Sequence, residues 1–158
     1  MYSWKYKEHD MLRSGLAVAA TLVALAFLSY GIASDVARPA VMSKADTAGN
    51  IFERPDTIQV TKDGNTTLDV TTFLSSDKKF GSGIYKSGAI RIGIDEPYGV
   101  DEFMYFIEGG VTLTSTDGTV QVISAGEGVT IPKEWMGVWE TDGYTKIWVI
   151  YSEDGSGL

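Results

Sequence analysis

The sequence contains no cysteine and a single histidine, His9. Without cysteine, the chain has no disulfides, no thiol nucleophile and no cysteine-ligated metal site. His9 lies near the start of the chain, so residues 51–158 also lack imidazole. Serine–histidine and cysteine–histidine catalysis are therefore excluded from that part of the chain.

Basic residues are also scarce beyond residue 50. Residues 51–158 contain eight Lys and Arg against seventeen Asp and Glu. Such an acidic region repels phosphate backbones, so we expect no nucleic-acid partner. The chain also has no glycine-rich phosphate loop and no dinucleotide-binding fingerprint.

Residues 14–34 carry no charged side chain and are mostly Ala, Leu and Val. A helix of that length spans roughly 30 Å, which is about the thickness of a bilayer core. We therefore predict a transmembrane helix over 14–34, preceded by a tail over 1–13. A cleaved signal peptide is the alternative, with Gly31 and Ala33 near a cleavage point, but this apolar run is longer than signal peptides usually have.

Lys and Arg beside the apolar segment indicate its orientation. Lys5, Lys7 and Arg13 precede the segment, whereas Arg38 and Lys44 follow it. This bias favours a single-pass membrane protein with a cytoplasmic N-terminus and a periplasmic or other extracytoplasmic C-terminal domain. The expected partners are membrane lipid and other membrane-protein subunits.

Residues 35–55 lack a clear period and predict a linker that can pack on the outside of the following domain. Residues 56–152 are a series of short runs rich in Thr, Val, Ile and aromatic residues, followed by a tail over 153–158. Asp117-Gly118 predicts a hairpin turn, and Asp142-Gly143 predicts another turn between two strands. These features predict an all-β sandwich or barrel.

Two stretches carry a family resemblance. One is DEFMYFIEG over 101–109, and the other is AGEGVTIPKEWMGVWE over 125–140. They resemble the two motifs of cupins, in the branch that includes ureidoglycine aminohydrolases and ethanolamine-utilisation cupins. The resemblance spans about residues 53–152. It implies a cupin-type antiparallel jelly-roll barrel of six or more strands, with a site inside the barrel mouth.

Many cupins hold a divalent metal through three histidines and a glutamate, and the resemblance places these positions in this chain. Glu102 stands at the glutamate position. Glu96, Tyr98 and Gly137 stand where the histidines would be. Transition metals usually need imidazole or thiolate ligands, so we expect no metal cofactor. Calcium, magnesium or manganese are the ions that so few oxygen ligands could hold.

Side-chain alternation along a strand gives the candidate cavity residues. If Glu102 faces the barrel interior, Met104 and Phe106 do too, while Phe103, Tyr105 and Ile107 face outward. The predicted ligand-binding residues are Glu96, Tyr98, Glu102, Met104, Trp135 and Trp139.

A purely structural role is the alternative for these side chains. Trp135, Trp139 and Trp148 would then be core residues. Glu102 would then be hydrogen-bonded to a neighbouring group, with Arg91 and Tyr85 as possible partners.

The leading functional hypothesis is a non-catalytic, membrane-anchored accessory subunit of a larger membrane complex. It rests on the intact cupin motifs, the missing ligands and the predicted anchor. One alternative is a small-molecule-binding or sensor cupin that uses the barrel cavity. Another is a divalent-metal enzyme of the ureidoglycine-hydrolase type working with Glu102. The resemblance also implies that a homodimer is plausible.

Overall fold

A computed structural model describes residues 36–155 and 157–158, and these residues form an antiparallel β-structure. A short helix, α1 (Lys44–Thr47), and a 3-10 helix (Asn50–Glu53) precede the strands. The strands are β1 (Ile58–Lys62), β2 (Asn65–Leu74), β3 (Phe80–Ile94), β4 (Asp101–Ser115), β5 (Val120–Ser124), β6 (Gly128–Ile131) and β7 (Gly137–Tyr151). The predicted all-β fold is thus confirmed for this part of the chain.

The predicted transmembrane segment, 14–34, lies outside the described residues. Within 36–155 and 157–158, the structure has no helix long and apolar enough to cross a membrane. The anchor and the topology derived from it therefore stay predictions.

The strands pair in the order β1-β2-β3-β7-β4-β5, and β6 pairs with β4. β7 lies between β3 and β4, so the last strand of the sequence is central in the sheet. β4 pairs with β6 near its start and with β5 near its end. The sheet therefore places β4 and β7 side by side behind the site described below.

Buried and exposed side chains alternate along the first half of β4, and the buried positions change from even-numbered to odd-numbered residues in the second half. Met104 and Phe106 are fully buried, whereas Phe103 and Tyr105 are exposed, as the sequence predicts. The register between β4 and β7 shifts between Phe106 and Glu108 and again between Gly109 and Thr112. After these shifts the buried residues are odd-numbered, beginning with Val111. A bulge thus turns the strand while keeping apolar side chains on its inner face.

The predicted turn at Asp142-Gly143 is wrong. β7 continues through these residues as one strand, because Gly143 pairs with Gly88 and Tyr144 pairs with Ser87 on β3. Backbone pairing with β3 therefore keeps these residues within one strand where the sequence favours a turn, although Gly143 has a φ of 128°. The continuous strand matters for the site described below, because it carries Lys146 three residues after Gly143.

The range predicted as a linker contains α1 and the 3-10 helix. Ser43 caps α1 in a reciprocal capping box with Asp46. Ile51 is buried in a small apolar cluster with Val70 and Ile84. This segment therefore packs on the outer face of the sheet, away from the barrel interior.

The inner face carries the larger core. Its buried members are Met104, Phe106, Val111, Leu113, Ile123, Ile131, Trp139 and Tyr144. The core fills the end of the barrel formed by the second half of β4 with β5. The other end, towards β1, β2 and β3, is open and contains a cavity.

Candidate functional site

The cavity has a volume of about 620 Å³, which is within the usual range for small-molecule sites. Its aliphatic wall comes from alternate residues of β1 and β3. That wall consists of Ile58, Val60, Ile90, Ile92 and Ile94, and Ile150 and Leu158 extend it. Its aromatic wall consists of Tyr85, Tyr98, Trp139, Tyr144 and Trp148. Most of the lining is therefore apolar, with a few polar groups at defined positions.

An ion pair between Glu102 and Lys146 lies in this wall. Lys146 Nζ donates to Glu102 Oε1 at 2.6 Å, and both residues are at least 95% buried. Met104 on β4 pairs with Trp148 on β7, and Lys146 lies two residues before Trp148 on the same inward face. The long Lys146 side chain can therefore reach back to Glu102, two residues before Met104 on β4. Removing two charges from water is costly, and close pairing offsets that cost.

Tyr98 completes the contacts of the carboxylate. It lies in the loop between β3 and β4, and its hydroxyl donates to Glu102 Oε2. The Tyr98 backbone N–H donates to the carbonyl of Trp135, which fixes the loop. Both oxygens of Glu102 are thus engaged by groups of the same chain.

Three aromatic rings surround the ammonium of Lys146. Its Nζ lies 5.7 Å from the ring centroid of Tyr85, 5.3 Å from that of Trp139 and 5.8 Å from that of Tyr144. Met104 Sδ lies 3.0 Å from the same nitrogen. These ring faces favour a cation, while burial lowers the pKa of Lys146 and the Glu102 carboxylate opposes that shift.

A second carboxylate lines the cavity on β2. Asp69 is half-buried, and its Oδ1 accepts a hydrogen bond from Trp148 Nε1 at 3.0 Å. Burial raises the pKa of Asp69, and the indole hydrogen bond opposes that change. Among the described residues, the ion pairs are Arg54–Asp56, Arg91–Glu140 and Lys146–Glu102. Asp69 belongs to none of them.

The structure brings together some of the sequence-predicted site residues. Tyr98, Glu102 and Trp139 line the cavity, and Met104 lies behind Lys146. Glu96 lies in the same loop as Tyr98, but it is exposed and is not part of the lining. Trp135 packs edge-on against Tyr98 and donates to Ser115 Oγ. Trp135 therefore contacts the Tyr98 loop and does not line the cavity.

The partners suggested for Glu102 were wrong. Arg91 pairs with Glu140 on the protein surface, and Tyr85 faces Lys146. Sequence reasoning missed Lys146 and Asp69. The signal for Lys146 was its spacing, since it shares a strand face with Trp148 two residues later. For Asp69, no sequence signal identified β1 and β2 as a wall of the cavity.

The resemblance to metal-binding cupins can be tested on these groups. Among residues 36–155 and 157–158, no three His, Cys, Asp or Glu side chains converge as metal ligands. Glu102 already contacts the Lys146 ammonium and the Tyr98 hydroxyl, so a divalent ion there would face a buried cation of the chain. The residues present therefore do not fit the metal site of the family.

The buried tyrosines predict a loss of stability at alkaline pH. Burial raises the pKa values of Tyr85, Tyr98 and Tyr144 above the ordinary value of 10.0. The unfolded chain then releases these protons first, so the free energy of unfolding falls as pH rises above about 10. Lys146 acts in the opposite direction, since its lowered pKa makes the unfolded chain the better proton binder below 10.5.

With three tyrosines against one lysine, we expect urea unfolding to show stability that falls as pH rises above about 10. Tyr98→Phe removes one of these protons, so the free energy of unfolding should fall less steeply with pH. The difference in slope should be about 1.4 kcal/mol per pH unit at most. Tyr105→Phe, which removes a hydroxyl from the outer face, is the control. An unchanged slope in Tyr98→Phe would contradict the burial of this phenol.

Comparisons with known proteins agree with the fold and the branch. Residues 93–146 match the model of the EutQ-like cupin domain. A protein of unknown function from Pseudomonas syringae pv. tomato is 17% identical, with 60% of this chain and 43% of that protein covered and a TM-score of 0.53. This likeness shows the fold, and the chain spans less than half of that protein.

Two ethanolamine-utilisation proteins are also similar. The EutQ protein of Clostridium difficile is 21% identical, with 63% of this chain and 78% of that protein covered and a TM-score of 0.48. A putative ethanolamine utilization protein Q of Salmonella typhimurium is 15% identical, with coverages of 62% and 95% and a TM-score of 0.44. No curated protein sequence matches the chain significantly.

The model match over residues 93–146 supports the ethanolamine-utilisation side of the resemblance drawn from the two motifs, and its ureidoglycine aminohydrolase side stays a prediction. The matched residues contain Tyr98, Glu102 and Lys146, so they include the polar centre of the cavity. The sheet, the motifs and the matched model agree: residues 93–146 are similar to the EutQ-like cupin domain, within an all-β antiparallel structure.

Proposed function

We propose that the cupin domain binds a small organic molecule in its cavity, and that Glu102 and Lys146 organise this site without a metal ion. The observation that carries the proposal is the cavity of about 620 Å³ with a fully paired polar centre. Sites of this kind combine an apolar wall with a few fixed polar groups.

The apolar wall supports ligand binding over a purely structural role. Ile58 and Val60 on β1 are 61% and 51% exposed, although both line the cavity. A ligand that covers apolar surface gains about 25 cal/mol per Å² before the costs of association. β1 is an edge strand, so an occupant would also hold the open side of the barrel.

The polar centre supports binding more than turnover. Lys146 and Glu102 neutralise each other, and Tyr98 holds the second oxygen of the carboxylate. Such a network fixes the side chains of the wall in one arrangement. A ligand would therefore meet a preorganised surface, which lowers the entropic cost of binding.

The role of a membrane-anchored accessory subunit stays a prediction. It depends on residues 14–34, which lie outside the described part of the chain. The expected lipid, subunit and homodimer partners, and the periplasmic location, depend on the same segment or on family resemblance. Ligand binding in the cavity is compatible with that role and does not require it.

Blocking the cavity tests the proposed function. We expect a thermal-shift screen of the full chain against small organic metabolites to yield stabilising compounds. Val60→Trp places an indole in the cavity and should abolish the stabilisation. Val122→Trp is the matched control, because Val122 is also exposed on an edge strand but does not line the cavity.

The proposed function would be wrong if no compound in such a screen stabilises the wild-type chain. It would also be wrong if the compounds that bind stabilise Val60→Trp as strongly as they stabilise Val122→Trp. Chemical-shift changes confined to residues of the cavity wall would support it.

A further inference from the structure

The cavity is lined by more acidic than basic side chains. Its charged side chains are Lys62, Asp63, Asp69, Glu102 and Lys146. Lys62 and Asp63 lie together at the turn between β1 and β2, while Lys146 and Glu102 form the buried pair. Asp69 forms no ion pair with a cation of the described chain, although the Lys146 ammonium attracts it at longer range. The lining therefore still carries one excess negative charge.

Asp69 is held in place with its carboxylate at the cavity wall. Trp148 Nε1 donates to its Oδ1, which leaves the rest of the carboxylate beside the rings of the cavity. Asp69 pairs with Ile58 on one side and with Tyr85 on the other. An apolar wall and an aromatic ring therefore flank the unbalanced carboxylate.

Lys146 shows that the cavity wall accommodates an ammonium group. Its nitrogen has a carboxylate at 2.6 Å and three aromatic rings within 5.8 Å. Asp69 offers a second carboxylate close to Tyr85 and Trp148 without an ammonium of its own. A ligand ammonium at Asp69 would repeat the arrangement that the chain already uses for Lys146.

We infer that the cavity selects an organic cation, with an ammonium group at Asp69 and an apolar body against Ile58 and Val60. This inference rests on the proposed function and specifies its ligand class. An anion would add a second uncompensated negative charge to a partly desolvated wall, which is costly. The surplus of acidic residues over 51–158 favours the approach of cations as well.

Three probes that share a phenyl body test the inference: phenethylamine, phenethyl alcohol and phenylacetate. We expect calorimetric titration of the full chain at neutral pH to rank the amine first, about tenfold tighter than the alcohol, a difference of about 1.4 kcal/mol. Phenylacetate should bind most weakly. Asp69→Asn should remove the preference for the amine while the alcohol affinity changes by no more than about twofold, because the amide oxygen can still accept from Trp148.

Asp117→Asn is the control, since it removes one carboxylate from the β4–β5 turn, outside the cavity lining. It should leave the ranking unchanged. If the alcohol binds as tightly as the amine in the wild-type chain, the selection of cations is wrong and the proposed binding function stands. If none of the three probes binds and Val60→Trp abolishes the binding of no screened compound, both the selection of cations and the proposed binding function are wrong.

Discussion

Lys146→Met should destabilise the β-domain by about 3–5 kcal/mol, the usual cost of leaving one member of a buried ion pair alone. The variant keeps the volume and apolar contacts of the side chain but leaves Glu102 with Tyr98 as its hydrogen-bond partner. Urea unfolding of the variant and the wild-type chain measures the loss. Arg91→Met is the matched control, because the Arg91–Glu140 pair is exposed and such pairs contribute about 1 kcal/mol or less.

The double variant Glu102→Gln/Lys146→Met separates the pair from the packing. Its glutamine can still accept from Tyr98, and no buried charge remains. We expect it to recover most of the stability lost in Lys146→Met, with a coupling free energy above about 2 kcal/mol. The ion pair does not organise the site if Lys146→Met costs no more than Arg91→Met. The same follows if the loss in the double variant equals the sum of the losses in Lys146→Met and Glu102→Gln.

Gly109→Ala should cost about 3 kcal/mol or more. Gly109 has a φ of 66°, and an added Cβ would lie 2.0 Å from the carbonyl oxygen of Gly143. Left-handed strain costs about 1–2 kcal/mol for a residue with a side chain, and the overlap with the backbone of β7 adds to it. The register shift between β4 and β7 lies at this position, so the variant would disturb the strand that carries Lys146.

Gly118→Ala is the control for conformational strain alone. Gly118 has a φ of 85° in the β4–β5 turn, and an added Cβ meets no atom within 4 Å. We expect a loss of about 1–2 kcal/mol from strain in this variant. Equal losses in the two variants, measured by urea unfolding, would show that close approach to Gly143 is not what requires glycine at 109.

The sequence predicts the β-fold and the orientation of the first half of β4, because one face of that strand is buried. Glu102, Met104 and Phe106 follow the expected alternation. The prediction fails after Phe106, since a bulge changes which residues face inward and leaves no mark in the hydrophobic pattern. The Asp142-Gly143 turn fails for a related reason: strand pairing overrides a local turn preference.

The polar centre of the site was only partly predictable. Family resemblance placed Tyr98 and Glu102 at ligand positions, and the structure joins them by a hydrogen bond. Lys146 was not foreseen, because a lysine within a strand ordinarily faces solvent. Its burial depends on a carboxylate 44 residues earlier in the chain, a contact that only the pairing of β4 with β7 creates.

The most direct measurement is ligand binding by the full chain before and after exhaustive chelation, with the metal content determined in parallel. A compound from the thermal-shift screen that Val60→Trp excludes would be the probe. We predict no stoichiometric metal and an unchanged affinity after chelation, because Lys146 supplies the positive charge beside Glu102. Loss of binding on chelation, restored by manganese or another divalent ion, would contradict a site organised by the lysine.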